Sequence, residues 1–338
     1  MFHRITLALG LLALPFAANA EQHADPEHVK QAIAANSLDV EGKVPFHLKM
    51  TFQMYDLNGK ESEAGTIEEW WAAPGVHHLE IKSPSYNFTA PSDVPVSDIP
   101  SREKFLVNML RGEALSPLPD MTRNHLPIAE DSRSFGKIKL TCWVAIRTDP
   151  TISGRPPENY CFDPVSYALR VEFEPGVLGV TRNSLGIFKE THVALDIHIL
   201  YNEKLAITGK FTTLETFDPT KSSLAMTKPP DPLAPSQSSP MSGVAPGAKG
   251  LTAGHIIAKY QPVYPDYAKA SHISGTVIVE GLISPKGTVE NITPIASPDD
   301  SLTQAAVNAV KKWIYQPYLL NGQPTSVDTT IYINFNLR

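Results

Sequence analysis

The chain has 338 residues, 42% hydrophobic and 19% charged, with 30 prolines and a formal net charge of −6. That length leaves room for two ordinary cores, and the proline content exceeds the usual ~5%. The acidic balance argues against a phosphate-neutralising nucleic-acid surface, and no basic run flanks a hydrophobic helix as an electrostatic membrane patch would.

Residues 1–20 read as an export signal. Arg4 gives the positive start, Ile5–Phe16 an apolar run too short for a bilayer at ~20 residues per crossing, and Ala18-Asn19-Ala20 a small-x-small site with cleavage after Ala20. An uncleaved anchor is the alternative; no cysteine follows the site to carry a lipid. In an exported chain the two cysteines, Cys142 and Cys161, suggest a disulfide. Its loop of about twenty residues would be worth on the order of 3 kcal/mol. Two buried free thiols are the alternative. The spacing is not CxxC, and no ligand cluster accompanies it, so neither a metal nor a cofactor is expected.

Pro26–Leu38 is predicted as a short helix with Val29, Ala32 and Ile33 on its apolar face. Phe46–Phe52 alternates apolar and polar, Asn58-Gly59 is a hairpin turn, and Gly65–Trp71 and Val76–Lys82 follow as strands. Residues 83–101 are proline-broken and predicted as loop. Ser101–Gly112 is a helix candidate with Phe105, Leu106, Met109 and Leu110 on one side. Strands resume at Lys137–Arg147, with Ile138, Leu140, Cys142, Val144 and Ile146 on one face. Further strands are Tyr160–Asp163, Tyr167–Phe173, Val177–Thr181, His192–Tyr201 and Leu205–Phe217, with turns at Asp163-Pro164, Pro175-Gly176 and Asn202-Glu203. Short strands joined by tight turns imply an antiparallel sheet that curls.

Asp218–Gly250 reads as a linker: its prolines, serines and glycines cannot bury a core, and ~30 residues of polyproline-like chain would reach on the order of 90 Å. Beyond it, Pro265–Ser271 is a helix candidate, and Gly275–Ser284 and Thr288–Ser297 pair across Pro285-Lys286-Gly287. Leu302, Ala305, Ala306, Ala309, Val310 and Trp313 form one helical stripe. Ser301 and Gln304 read as its capping box, and Lys311 and Lys312 fall in its last turn. After Gln316-Pro317 come an Asn321-Gly322 turn and a last alternating strand over Ser326–Leu337. A helix on a small antiparallel sheet is the α+β solution.

No residue pattern points to catalysis. His77 and His78 would diverge on a strand and are expected to be exposed. Glu68 and Glu69 also diverge and are expected on a solvent-facing rim. No GxSxG elbow occurs, and Asn87-Phe88-Thr89, a glycosylation match, is expected to be idle in a bacterial exported protein.

Residues 26–217 resemble the LolA/LppX-like periplasmic lipoprotein carriers. The likeness lies in an opening helix, Lys49–Tyr55 paired across Asn58-Gly59 with Gly65–Trp71, and the meander after Cys161-Phe162-Asp163. It implies an incomplete β-barrel with helices closing its mouth and a concavity for an acyl chain or apolar ligand; a filled core is the alternative.

The C-terminal stretch resembles TonB-type energy transducers more specifically. The carriers are Gln261-Pro262-Val263-Tyr264-Pro265 with Ala268, then Gly275-x-Val277, Gly287-x-Val289, the helical stripe through Trp313-x-Tyr315-x-Pro317, Asn321-Gly322 and Phe335-x-Leu337. The resemblance implies a periplasmic module that docks by strand addition onto a short segment of an outer-membrane receptor. It assigns docking to Gln261, Pro262 and the last strand, with Thr329, Ile331, Ile333 and Phe335, and structural roles to Tyr264, Pro265, Gly275, Gly287 and Trp313. A transducer of that family keeps an uncleaved membrane helix and a long spacer; a cleavable signal and a folded β domain stand in their place here.

Four segments are therefore expected: a signal peptide at 1–20, a β-rich half-barrel domain at 21–217, a linker at 218–250 and an α+β domain at 251–338. The functional expectation is a non-enzymatic periplasmic module that contacts an envelope or outer-membrane transport protein through its C-terminal sheet edge. The alternative is a carrier of a lipid or apolar ligand. Exposed edges also allow a homodimer.

Overall fold

The computed structural model describes residues 26–91, 101–118, 125–147, 158–227, 251–252 and 254–337. The expected signal with Ala20 and the expected linker beyond Thr227 lie outside the described residues. Contacts divide the chain into two compact units. Among the described residues no helix is long and apolar enough to cross a membrane.

The first unit is built on one antiparallel sheet. Its strands are β1 (Phe46–Tyr55), β2 (Glu61–Ala73), β3 (Val76–Lys82), β4 (Asn87–Ala90), β5 (His125–Phe135), β6 (Ile138–Arg147), β7 (Glu158–Phe162), β8 (Leu169–Glu174), β9 (Leu178–Phe188), β10 (Thr191–Tyr201) and β11 (Lys204–Thr216). The order is β4-β3-β2-β1-β11-β10-β9-β8-β7-β6-β5, so first and last strands meet in the middle. Helix α1 (Pro26–Asn36) and, from Leu106 onward, helix α2 (Arg102–Leu115) accompany it. Two features depart from expectation: β4 interrupts the stretch read as loop by pairing with β3, and β5 pairs along β6 where no strand is predicted.

Turn chemistry sets the hairpins. The Asp56 carboxylate accepts from the backbone N–H groups of Asn58 and Lys60, both at 2.9 Å, which leaves Gly59 to take φ +80°. Asn202 and Glu203 both have positive φ and close β10 onto β11. On β1, Phe46, Leu48, Met50, Phe52 and Met54 are all buried, the alternation expected of one inward face. Cys142 and Cys161 stand opposite each other on β6 and β7 and are joined as a disulfide, fully buried beside Leu140, Val171 and Phe173. Trp143, Tyr160 and Phe162 point the other way and pack with Val29 and Ala32 of α1, so this part of the sheet is covered on both faces.

Helix α2 lies across the sheet. Leu106, Val107, Leu110, Ala114 and Leu115 are buried; Phe105 and Met109, expected on the apolar side, are only half-buried. Gly209 of β11 makes room for Leu110: a Cβ there would lie 2.8 Å from its methyl groups. Two ion pairs flank this contact. Arg111 donates from Nε and Nη2 to both oxygens of Glu69 on β2, at 2.6 and 2.5 Å, and Glu113 accepts from Arg182 of β9. Positions 111 and 113 lie about 200° apart around a helix, so the sheet curls up both flanks of α2. Glu69 is thus fully buried, not on a solvent rim, because α2 covers the inner face of β2. Its neighbour Glu68 does point outward, to Lys49 and His47.

Asp218–Thr227, expected as the start of the linker, follows this unit. Asp218 caps a 3-10 turn at Pro219–Lys221, and the Thr227 hydroxyl accepts from the His77 backbone N–H at 2.8 Å. Because this segment crosses β3, His78 is buried, with Nδ1 2.9 Å from the Ala225 carbonyl, and not exposed as expected.

The second unit holds α3 (Asp266–Ala270), α4 (Asp300–Val310) and the strands β12 (Leu251–Thr252), β13 (Ile256–Ala258), β14 (Gly275–Ile283), β15 (Val289–Ala296), β16 (Ile314–Tyr315), β17 (Tyr318–Leu320), β18 (Gln323–Thr325) and β19 (Val327–Phe335). The main sheet has the order β15-β14-β19. Leu302, Ala306 and Val310 of α4 and Trp313 pack with Val277, Val279, Ile331, Ile333 and Phe335. The helix is capped two residues earlier than expected. Asp299 accepts from the Ser301 backbone and hydroxyl, at 2.8 and 2.5 Å, so Ser301 sits inside the first turn. An ionised carboxylate is the stronger acceptor for helix N–H groups. The helix ends at Val310 with Lys311 as its cap, which leaves Lys312 outside it.

Candidate docking edge of the C-terminal sheet

The three-stranded sheet has two edges, and they are chemically different. β15 is blunted: Pro294 lacks an N–H, Asn291 takes φ +50°, and the register with β14 shifts twice. β19 contains no proline and pairs with β14 over nine unbroken positions, from Val327 opposite Ile283 to Phe335 opposite Gly275. Among the described residues β14 is its one neighbouring strand. The backbone groups of alternate β19 residues therefore face away from β14, as a template for one more strand.

The strand's period of two decides what each residue offers. Ile331, Ile333 and Phe335 are buried against α4, Val327 is buried on the same side, and Thr329 shares their face. The expected docking residues Ile331, Ile333 and Phe335 are core by their side chains, and only their backbone reaches the edge. The opposite face carries Asp328, Thr330, Tyr332 and Asn334, with the Thr276 hydroxyl donating to Asn334 Oδ1 at 2.7 Å. Glu280 of β14 lies opposite Thr330; burial pushes its carboxyl up to about 7, and the charge of Asp328 adds to the rise.

Gln261 and Pro262 sit between two anchored tyrosines. Trp313 Nε1 donates to the Tyr260 carbonyl at 2.8 Å, and the Lys259 ammonium lies 5.1 Å from the centre of the Trp313 ring. Tyr264 packs edge-on against Phe335, centroids 5.3 Å apart, and its hydroxyl donates to the Ile273 carbonyl at 2.5 Å. Exposed Gln261 and half-buried Pro262 are thereby held near the end of β19. Pro265 caps α3, Gly275 takes φ +135° opposite Phe335, and Gly287 takes φ +82° in the β14–β15 turn. Trp313 is a buried anchor.

Residues 260–337 match the family model for the Gram-negative bacterial TonB protein C-terminal region. The chain is similar to protein TonB of Klebsiella pneumoniae, 32% identical over 108 residues that cover 30% of this chain and 43% of the relative. It is similar to protein TonB of Vibrio cholerae, 32% identical over 83 residues, covering 24% and 34%. The match to protein TonB of Escherichia coli K12 is 33% over 88 residues, covering 26% and 33%. The chain thus spans less than half the length of these curated relatives. Among solved structures it is similar to a LolA superfamily protein from Nitrosomonas europaea, with TM-score 0.39 and 7% identity over 56% of this chain and 93% of the other. A domain of an outer membrane lipoprotein-sorting protein from Vibrio parahaemolyticus gives TM-score 0.35 and 10% identity over 59% and 93%. The C-terminal unit carries a TonB C-terminal domain.

Proposed function

We propose that this chain is a non-enzymatic docking protein of the bacterial periplasm, in which the C-terminal domain takes up a short extended segment of an envelope or outer-membrane transport protein along the outer edge of β19. The observation that carries this reading is the contrast between edges: β15 is bulged and proline-broken, whereas β19 is straight, proline-free and nine residues long. Strand addition draws its affinity from backbone hydrogen bonds, so it needs such an edge more than it needs particular side chains. TonB C-terminal domains interact with outer-membrane receptors, and the match over residues 260–337 supports that class of partner here. Gln261 and Pro262, held beside the end of β19, would steer the incoming segment. The Cys142–Cys161 disulfide is consistent with an oxidising compartment.

Two single prolines test the reading, because neighbouring residues of an edge strand send their N–H groups in opposite directions. Of Thr329→Pro and Thr330→Pro, the variant that removes the outward N–H should stay folded and lose capture of outer-membrane receptors. The other should weaken the domain itself through its lost β14 bond. Capture by both variants at wild-type strength would refute docking at β19. The described cleft near α2 holds about 10 Å³, room for one water, and Arg182 and Glu113 are among its lining residues.

A further inference from the structure

The N-terminal unit brings two carboxylates, one buried and one half-buried, against one buried guanidinium. Arg182 of β9 is 2% exposed. Its Nη2 faces Glu113 of α2 and also Glu172 of β8, the latter at 3.7 Å. Glu113 and Glu172 thus converge on one nitrogen, and two carboxyls can bond to each other there only with a proton between them. Among the described residues, Arg182 Nε and Nη1 and Glu172 Oε2 are buried with no hydrogen-bond partner.

Other titratable groups face the same place. Glu158 and Tyr160 come from β7, the tyrosine hydroxyl donating to Glu158 at 2.9 Å. Glu174 comes from β8, and His192 of β10 lines the cleft beside Glu113 and Arg182. Arg170, also on β8, feels the charge of Asp163 instead. The Ser116 hydroxyl, just past α2, donates to Asp39. Burial first, and neighbouring carboxylates second, push the Glu172 carboxyl well up, and burial pushes Glu113 up.

The helix is arranged for local opening. Arg111 is clamped to Glu69 as one base on one acid, through two hydrogen bonds. Gly112 follows, exposed and with nothing within 4 Å of where a Cβ would stand; a helical glycine costs about 1 kcal/mol relative to alanine. Glu113 begins the segment beyond that weak point.

We propose that Glu113, Glu172 and Arg182 form a proton-dependent latch. With one proton shared between the two carboxyls the trio is neutral and ties the last turn of α2 to β8 and β9. Loss of that proton leaves two anions on one cation and frees the turn, hinged at Gly112. The sign follows from linkage: these carboxyls are raised above their unfolded values, so their stabilisation is present in acid and is lost as pH rises through the folded value.

Hydrogen exchange on the full chain from roughly pH 5 to 9 tests this. Corrected for intrinsic exchange, protection of the Gly112–Leu115 amides should fall by up to about tenfold per pH unit, the limit for one proton. Protection of β1 and β11 should hold, and Glu172→Gln should make the α2 profile flat. Wild-type protection that is itself flat, an unchanged slope in Glu172→Gln, or a parallel fall in β1 and β11 would overturn the latch. The infrared spectrum of the wild-type chain should also show a protonated carboxylic acid at neutral pH. Its absence would overturn the proposal even if the variant does not fold.

Discussion

Gly287 and Gly322 offer a matched pair of substitutions. Both sit in hairpin turns of the C-terminal unit with nearly the same backbone, φ +82° and +83°. Alanine at either pays for the left-handed conformation, about 1–2 kcal/mol. Their surroundings differ. At Gly322 a Cβ meets nothing within 4 Å, whereas at Gly287 it would stand 1.9 Å from the carbonyl oxygen of Tyr315. That carbonyl belongs to a pinned segment: Tyr315 N–H donates to the Gly287 carbonyl at 2.8 Å, and Thr288 forms a bridge with Ile314. Relieving the clash breaks this contact, which adds about 1 kcal/mol for the bond and more for the displaced Tyr315 ring in the core. Gly287→Ala should therefore cost about 3–4 kcal/mol, and Gly322→Ala about 1–2. Hydrogen exchange of the β14 and β19 amides reads both in the full chain. Protection should drop several hundred-fold in the first and roughly tenfold in the second, at about 1.4 kcal/mol per decade. Equal drops would show that the left-handed backbone, not the approach to Tyr315, accounts for the glycine at 287.

Arg111→Met strands a buried carboxylate and should destabilise the N-terminal unit by about 3–5 kcal/mol in urea unfolding, while adding Glu69→Leu should recover most of that; a double variant as unstable as the single would contradict it. Replacing Cys142 and Cys161 together by alanine opens a loop with a sequence separation of 19 and should cost about 3 kcal/mol in the same assay. A loss below about 1 kcal/mol would mean the β6–β7 register holds without the bond. The Glu280 carboxyl, raised to about 7, is protonated in the folded domain at low pH, so its stabilisation falls as pH rises through that value. Glu280→Gln should remove this slope from C-terminal unfolding measured across roughly pH 6 to 8; a slope that persists assigns it to another group.

What could be read from the residues, and what could not, divides along one physical line. Turns needing positive φ announce themselves through Asn and Gly: Gly59, Asn202, Asn321 and Gly322 all take it. Strands with one wet face are equally plain, as β1 is. β5 escapes because Glu130-Asp131-Ser132-Arg133-Ser134 has no alternation; its pairing is imposed by β6. Glu69, Glu172 and Arg182 escape for a deeper reason. Alternation assigns polar positions to solvent only if one face of the sheet is wet, and here α2 covers the inner face where those positions point. Charges that pattern reading sends outward are then the groups that fix α2, and they must be paired or protonated because water is absent. At β19 alternation says only which face each side chain takes. Taking every second residue of an alternating strand selects Thr329, Ile331, Ile333 and Phe335, which is the face turned toward α4, whereas a docking edge lies in the plane of the sheet and belongs to the backbone. Its signature in the residues is negative: β19 has no proline, no glycine and no bulge, while β15 has Pro294 and two breaks in register. Comparing the interruptions of the two edge strands therefore says more about where a partner strand can add than the side chains along β19 do.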